Sequence, residues 1–120
     1  MAEHNDLGKE GEEIAADYLS KKGYEIVERN YKFLKSEIDI VTKKDGLLII
    51  VEVKTRNSDF MAGPHQTVTK AKQKAIIKAA NFYIQQHDLD IETRFDIVSI
   101  ILNTKQKLIE HIEDAFYPRL

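Results

Sequence analysis

Ser36-Glu37-Ile38-Asp39-Ile40-Val41-Thr42-Lys43-Lys44-Asp45-Gly46-Leu47-Leu48-Ile49-Ile50-Val51-Glu52-Val53-Lys54 reads as two strands joined by a tight turn. Glu37 to Thr42 alternates apolar Ile38 and Ile40 with acidic Glu37 and Asp39, and Leu47 to Val53 is almost continuously apolar and β-branched. The first pattern suits a strand with one solvated face, and the second suits a strand covered on both faces near the centre of a sheet. Asp-Gly is a strong signal for a two-residue hairpin loop. With Asp45 and Gly46 as that loop, opposed residue numbers sum to 91, so Asp39 is expected opposite Glu52 and Glu37 opposite Lys54. Directly opposed residues share a face.

Two carboxylates opposed across neighbouring strands cost stability, more so where burial is expected. A divalent cation offsets that cost. Asp39 and Glu52, supplemented by the Val53 carbonyl, form an oxygen-rich set of the sort Mg2+ or Mn2+ prefers. Lys54 lies two residues beyond Glu52, roughly 6.8 Å along the same face, where it suits a water nucleophile or a phosphate under attack. The same spacing also fits half-exposed strands with a plain Glu37–Lys54 salt bridge.

Working outward, Leu7, Ile14, Ala15, Tyr18 and Leu19 recur at helical spacing over Asp6 to Lys22, and Gly23 stands at the cap position. Gly8 and Gly11 inside that helix suggest close backbone packing, and Glu12 borders the apolar arc. Read instead as a loop, Gly8-Lys9-Glu10-Gly11 would be the GxxG of an RNA-binding KH domain, against which its helical context counts. Tyr24 to Asn30 reads as a short strand. A Gly/Pro/polar loop, Asn57 to Gln66 with Gly63-Pro64, follows the central strand and suits the substrate side. A helix over Thr67 to Gln86 carries an apolar stripe of Val68, Ala75, Ile76, Ala79, Phe82 and Tyr83, with Lys72 inside it and Lys70, Lys74 and Lys78 outside it. A lysine so placed snorkels to the rim or reaches an acidic pocket at the sheet edge. Arg94 to Leu102 and Leu108 to Ile112 read as the last strands. The expectation is one α/β domain over residues 1–120, a mixed sheet flanked by helices in the order αβββαββ.

The chain of 120 residues is 42% hydrophobic and 32% charged, with no cysteine. That composition suits one self-sufficient core and excludes disulfide frameworks, zinc knuckles and thiol nucleophiles. His4, His65, His87 and His111 show no metal-ligand spacing. No signal-peptide or membrane-span pattern is present, so a soluble cytoplasmic protein is expected. A net charge of −2 excludes a globally basic nucleic-acid binder. The charge is uneven, however: residues 54–80 hold six basic side chains, Lys54, Arg56, Lys70, Lys72, Lys74 and Lys78, against Asp59 alone. A local phosphate-contacting surface fits this distribution.

These residues together resemble the PD-(D/E)xK nuclease superfamily, with its restriction-endonuclease-like core. Within it they resemble the YraN-type bacterial family, related to archaeal Holliday junction resolvases. The resemblance is carried by Gly8, Gly11, Glu12 and Ala15; Arg29-Asn30; Glu37 to Ile40; Val51 to Arg56; Gly63 and Pro64; Lys72; Arg94-Phe95-Asp96; and Ala115-Phe116. It departs at Ile38, where the superfamily motif has proline, and at Ser36, where the YraN-type family usually has glycine. It implies metal ligation by Asp39 and Glu52, with Glu12 completing the acidic shell directly or through water. It further implies Lys54 as the catalytic lysine and Lys72 as a supporting helix residue. The expected activity is Mg2+- or Mn2+-dependent hydrolysis of DNA, branched or damaged DNA included. Arg56, Lys70, Lys74 and Lys78 are expected to hold backbone phosphates, and a homodimer is expected by analogy with resolvases. The alternative is a module of the same fold that binds nucleic acid or a partner without chemistry.

Overall fold

The computed structural model describes residues 3–57 and 68–118, so most of the Asn57–Gln66 loop, with Gly63 and Pro64, lies outside the described residues. Among the described residues seven elements follow one another: α1 (Glu3–Lys21), β1 (Glu25–Phe33), β2 (Ser36–Lys44), β3 (Leu47–Arg56), α2 (Lys70–Gln86), β4 (Glu92–Leu102) and β5 (Lys107–Phe116). The strands form one sheet in the order β1-β2-β3-β4-β5. β3 and β4 run parallel and the other pairs antiparallel, giving a mixed sheet. Parallel neighbours need a crossover, and α2 supplies it.

The hairpin forms in the expected register. Lys44 pairs with Leu47 and the ladder continues to Ile40–Val51. Asp45 and Gly46 take φ of 53° and 79°, the left-handed values that a type I′ turn requires. β3 is the central strand, and its side chains alternate between two cores. Leu48 and Ile50 pack with Ile76, Ala79, Ala80 and Tyr83 of α2, whereas Ile49 and Val51 pack with Ala15 and Leu19 of α1. Each helix thus covers one face, as the unbroken apolar run of β3 requires. Phe82, expected on the buried stripe, is 42% exposed and lies against Phe33 with ring centroids 4.6 Å apart.

Several details differ from the expectation, among them β5, which runs on past Ile112 to Phe116. β1 extends beyond Asn30 to Phe33, because the chain reverses at Leu34, whose φ of 56° is unusual for a bulky residue. Gly8 to Gly11 lie within α1, so no GxxG loop exists. α2 begins at Lys70, where the Thr69 side chain accepts from the Lys72 amide at 3.1 Å and caps the helix.

The α1-side core encloses a polar cluster around Asp96, which is fully buried. Arg94 donates from Nε and Nη2 to its two oxygens, each at 2.9 Å, and Nη2 also donates to Tyr24 Oη. The Asp114 amide donates at 3.0 Å, and His111 Nε2 lies 2.7 Å from Oδ2. A carboxylate only accepts, so Nε2 carries the hydrogen. Burial works against the Asp96 charge, but His111, Arg94 and the Asp114 amide outweigh it and hold the carboxyl below its ordinary range.

Candidate active site

Past the Ile40–Val51 pair the β2–β3 ladder stops. The expected Asp39–Glu52 and Glu37–Lys54 rungs are absent among the described residues. Instead, the Val53 amide donates to Asp39 Oδ2 at 2.8 Å. The carboxylate takes a main-chain donor and stabilises its own charge, which a rung facing Glu52 would not do. The two strands therefore fork at the point where their acidic residues stand.

Glu37 also finds a different partner. Asn30 Nδ2 donates to Glu37 Oε2 at 2.8 Å and to Glu12 Oε1 at 3.1 Å, bridging β2 and α1. Arg29 pairs with Ile40 and Tyr31 with Ile38, which puts Asn30 level with Asp39 on the neighbouring strand. Asn30 has φ 54°, a left-handed conformation that asparagine tolerates better than most residues. The reading of the chain assigned Asn30 no role. Its signal was an asparagine inside a strand, a residue type depleted there.

α1 delivers Glu12 by lying close on β3. A Cβ at Gly11 would overlap the Thr55 hydroxyl, so only glycine fits at that crossing. Gly8 differs: nothing lies within 4 Å of a Cβ there, so close packing applies to Gly11 alone of the two. From the opposite face, α2 sends Lys72 to the sheet, and its Nζ lies 2.6 Å from Glu52 Oε2. Of the two outcomes open to a lysine on the apolar stripe, Lys72 reaches the acidic pocket.

Glu12, Asp39, Glu52, Lys54 and Lys72 thus line one concavity of about 210 Å³, together with Leu7, Gly8, Val53 and Thr55. All five residues expected at the site meet there, brought by four elements. The expected phosphate-holding lysines do not join them: Lys70, Lys74 and Lys78 line a separate groove on α2. Arg56, half-buried, ends β3.

The electrostatics of the concavity follow from crowding. Burial, then the neighbouring Glu52 charge, pushes the Asp39 carboxyl up to about 8, Glu12 adds to this, and the Val53 amide and Lys72 oppose it. For Lys72, partial burial works against the charge, but the hydrogen bond and charge of Glu52, with Asp39 and Glu37, outweigh it. Its ammonium is held above the ordinary lysine range. Lys72 is accordingly a fixed cation, unsuited to act as a base.

Among the described residues no group of three or more His, Asp or Glu side chains is gathered tightly enough to cage a metal ion. Among the described residues Asp39 commits one oxygen to Val53 and Glu52 commits one to Lys72, which leaves the other oxygen of each for a cation. Two carboxylates completed by water and substrate oxygens suit Mg2+, which seldom takes an all-protein cage. The donor set fits on those terms, with Glu12 held through Asn30 at the rim.

A model of the uncharacterised protein family UPF0102 matches residues 11–100, a span that includes all five residues of the concavity. A UPF0102 protein of Flavobacterium psychrophilum is 51% identical over 117 residues, covering 98% of each chain. One from Christiangramia forsetii is 48% identical over 117 residues, again with 98% of each chain covered. One from Bacteroides fragilis is 48% identical over 120 residues, covering 100% of this chain and 99% of its own.

Proposed function

We infer that this chain, which belongs to the uncharacterised protein family UPF0102, is a divalent-metal-dependent nuclease that hydrolyses DNA phosphodiester bonds. The observation that carries the reading is the meeting of Glu12, Asp39, Glu52, Lys54 and Lys72 in one concavity at the forked end of β2 and β3. The same residues carry the likeness to the PD-(D/E)xK superfamily, and on this inference the mixed sheet with its two helices is a restriction-endonuclease-like core.

Asp39 and Glu52 would hold Mg2+ or Mn2+ between them. When bound, the cation supplies positive charge against the scissile phosphate and makes water a better nucleophile. The chain's own residues do the rest. Lys54, which lines the same concavity, would stabilise the charge that grows on a phosphate there as water attacks phosphorus, gives up a proton, and the ester oxygen departs with one. Lys72 fixes the Glu52 carboxylate in place and balances its charge. Asn30 holds Glu12 and Glu37 apart from the centre while keeping their charge at its rim.

A second reading rests on the Lys72–Glu52 pair, which balances the Glu52 charge without any cation. On that reading the fold binds nucleic acid or a partner and does no chemistry. The deciding experiment is cleavage of labelled single-stranded, duplex, flapped and four-way-junction DNA with Mg2+ or Mn2+, with Asp39→Asn and Lys54→Ala beside the wild type. Cutting that both variants lose supports the nuclease. Absence of cutting on every substrate, with DNA binding retained by both variants, overturns it in favour of the binding module.

A further inference from the structure

Lys70, Lys74 and Lys78 recur every four residues and therefore form a row along one side of α2. With Gln73, Ile77 and Asn81 they form one wall of a groove of about 240 Å³, and Tyr117 and Pro118, just past the end of β5, form the other. Tyr117 is 62% exposed. Like charges at this spacing repel, and α2 has no acidic residue anywhere along its length to relieve them. Among the described residues none of the three lysines pairs with a carboxylate. The charges of this row do not help the helix to form. They suit a polyanion: a row of ammonium groups tracks a phosphate backbone, and an exposed aromatic ring beside it offers a face to an unpaired base. A duplex keeps its bases stacked inside and has no use for such a ring.

We propose that this groove binds a single-stranded segment of nucleic acid, with its phosphates along Lys70, Lys74 and Lys78 and a base stacked on Tyr117. The proposal rests on the nuclease reading only for its purpose. Lys72 reaches the acidic concavity from another side of the same helix, so a strand held in the groove lies about one helix diameter, ~10–12 Å, from the cutting centre. Substrates that carry a single-stranded tail beside the scissile bond would then be favoured over blunt duplex.

The test is fluorescence anisotropy of a labelled fifteen-nucleotide oligothymidylate and of a blunt duplex, in EDTA so that no cleavage intervenes. Wild type is expected to bind the oligothymidylate more tightly than the duplex, with affinity falling steeply as salt rises. Tyr117→Ala should weaken single-strand binding about tenfold and Tyr117→Phe should restore it, since the ring and not the hydroxyl stacks. K70E/K74E/K78E should abolish binding, whereas the charge-matched K21E/K22E/K107E should not. Equal binding by Tyr117→Ala and wild type, or equal loss in both triple variants, overturns the proposal. Failure of cleavage with this binding intact would sink the nuclease reading and leave the groove standing; cleavage without Tyr117-dependent binding would do the reverse.

Discussion

Lys72 Nζ, at 2.6 Å from Glu52 Oε2, ties the crossover helix α2 to the central strand at the acidic concavity. Glu52 is only 4% exposed at its side chain, while Lys72 is 46% exposed. The pair is therefore asymmetric: losing the lysine strands a buried charge, and losing the glutamate frees a lysine that water can solvate. Removing one partner of a buried pair costs more than removing both. Lys72→Ala is expected to destabilise the protein by about 2 kcal/mol, a value reduced for the solvent around Lys72. Lys72→Ala/Glu52→Gln should recover most of that loss, and urea unfolding of wild type, Lys72→Ala, Glu52→Gln and the double variant gives the coupling directly.

The Asp39 carboxyl, pushed up to about 8, binds a proton in the folded protein at pH values where the unfolded chain has already lost it. Folded protein thus holds more protons between the ordinary carboxylate range and about pH 8, and stability without metal falls as pH rises through that window. Asp39→Asn removes the titration and still accepts from Val53. Its melting temperature should exceed that of the wild type at alkaline pH in EDTA, with the gap closing toward acid. Mg2+ should raise the wild-type melting temperature at alkaline pH and leave Asp39→Asn unmoved.

Asp96 titrates in the opposite sense. Its carboxyl is held below the ordinary range, so its contribution is complete above the unfolded value and is lost as pH falls through the folded one. Thermal melts should show this loss in the acid range. Asp96→Ala leaves Arg94 and His111 without their shared acceptor and should cost about 3–5 kcal/mol at neutral pH, measured by urea unfolding.

The two helix glycines should respond with opposite signs. Gly8→Ala meets open space and is expected to stabilise by about 0.5–1 kcal/mol through helix propensity. Gly11→Ala drives a methyl into Thr55 and is expected to destabilise by about 1–3 kcal/mol despite the same propensity gain. Melting temperatures of the two variants decide it.

How much of this was legible in the sequence depended on whether a local signal existed. Asp45-Gly46 set the hairpin register, and the unbroken Leu47–Val53 run marked the central strand, because both follow from short-range chemistry. The hairpin also put Asp39 and Glu52 on one face, but the pattern left Lys72 free to snorkel or to reach them, and only the family resemblance joined it to the carboxylates, because its approach depends on how α2 packs on the sheet. The fork did not show, since it depends on a side chain, Asp39, replacing a main-chain acceptor. The end of β1 carries no local signal, because Leu34 turns the chain without the glycine or asparagine that usually marks such a turn. The Asp96 cluster was invisible because His111 reaches it only through the β4–β5 pairing, whose register shifts between Phe95 and Ile97.

The Val53–Asp39 hydrogen bond gives the molecule a built-in reporter. A backbone amide that would ordinarily sense only its sheet here senses the charge state of a side chain in the concavity. Protonation of Asp39, or capture of its carboxylate by a cation, must alter the chemical shift and solvent exchange of that single N–H. Events at the site can thus be followed by nuclear magnetic resonance at Val53 without substrate, label or turnover.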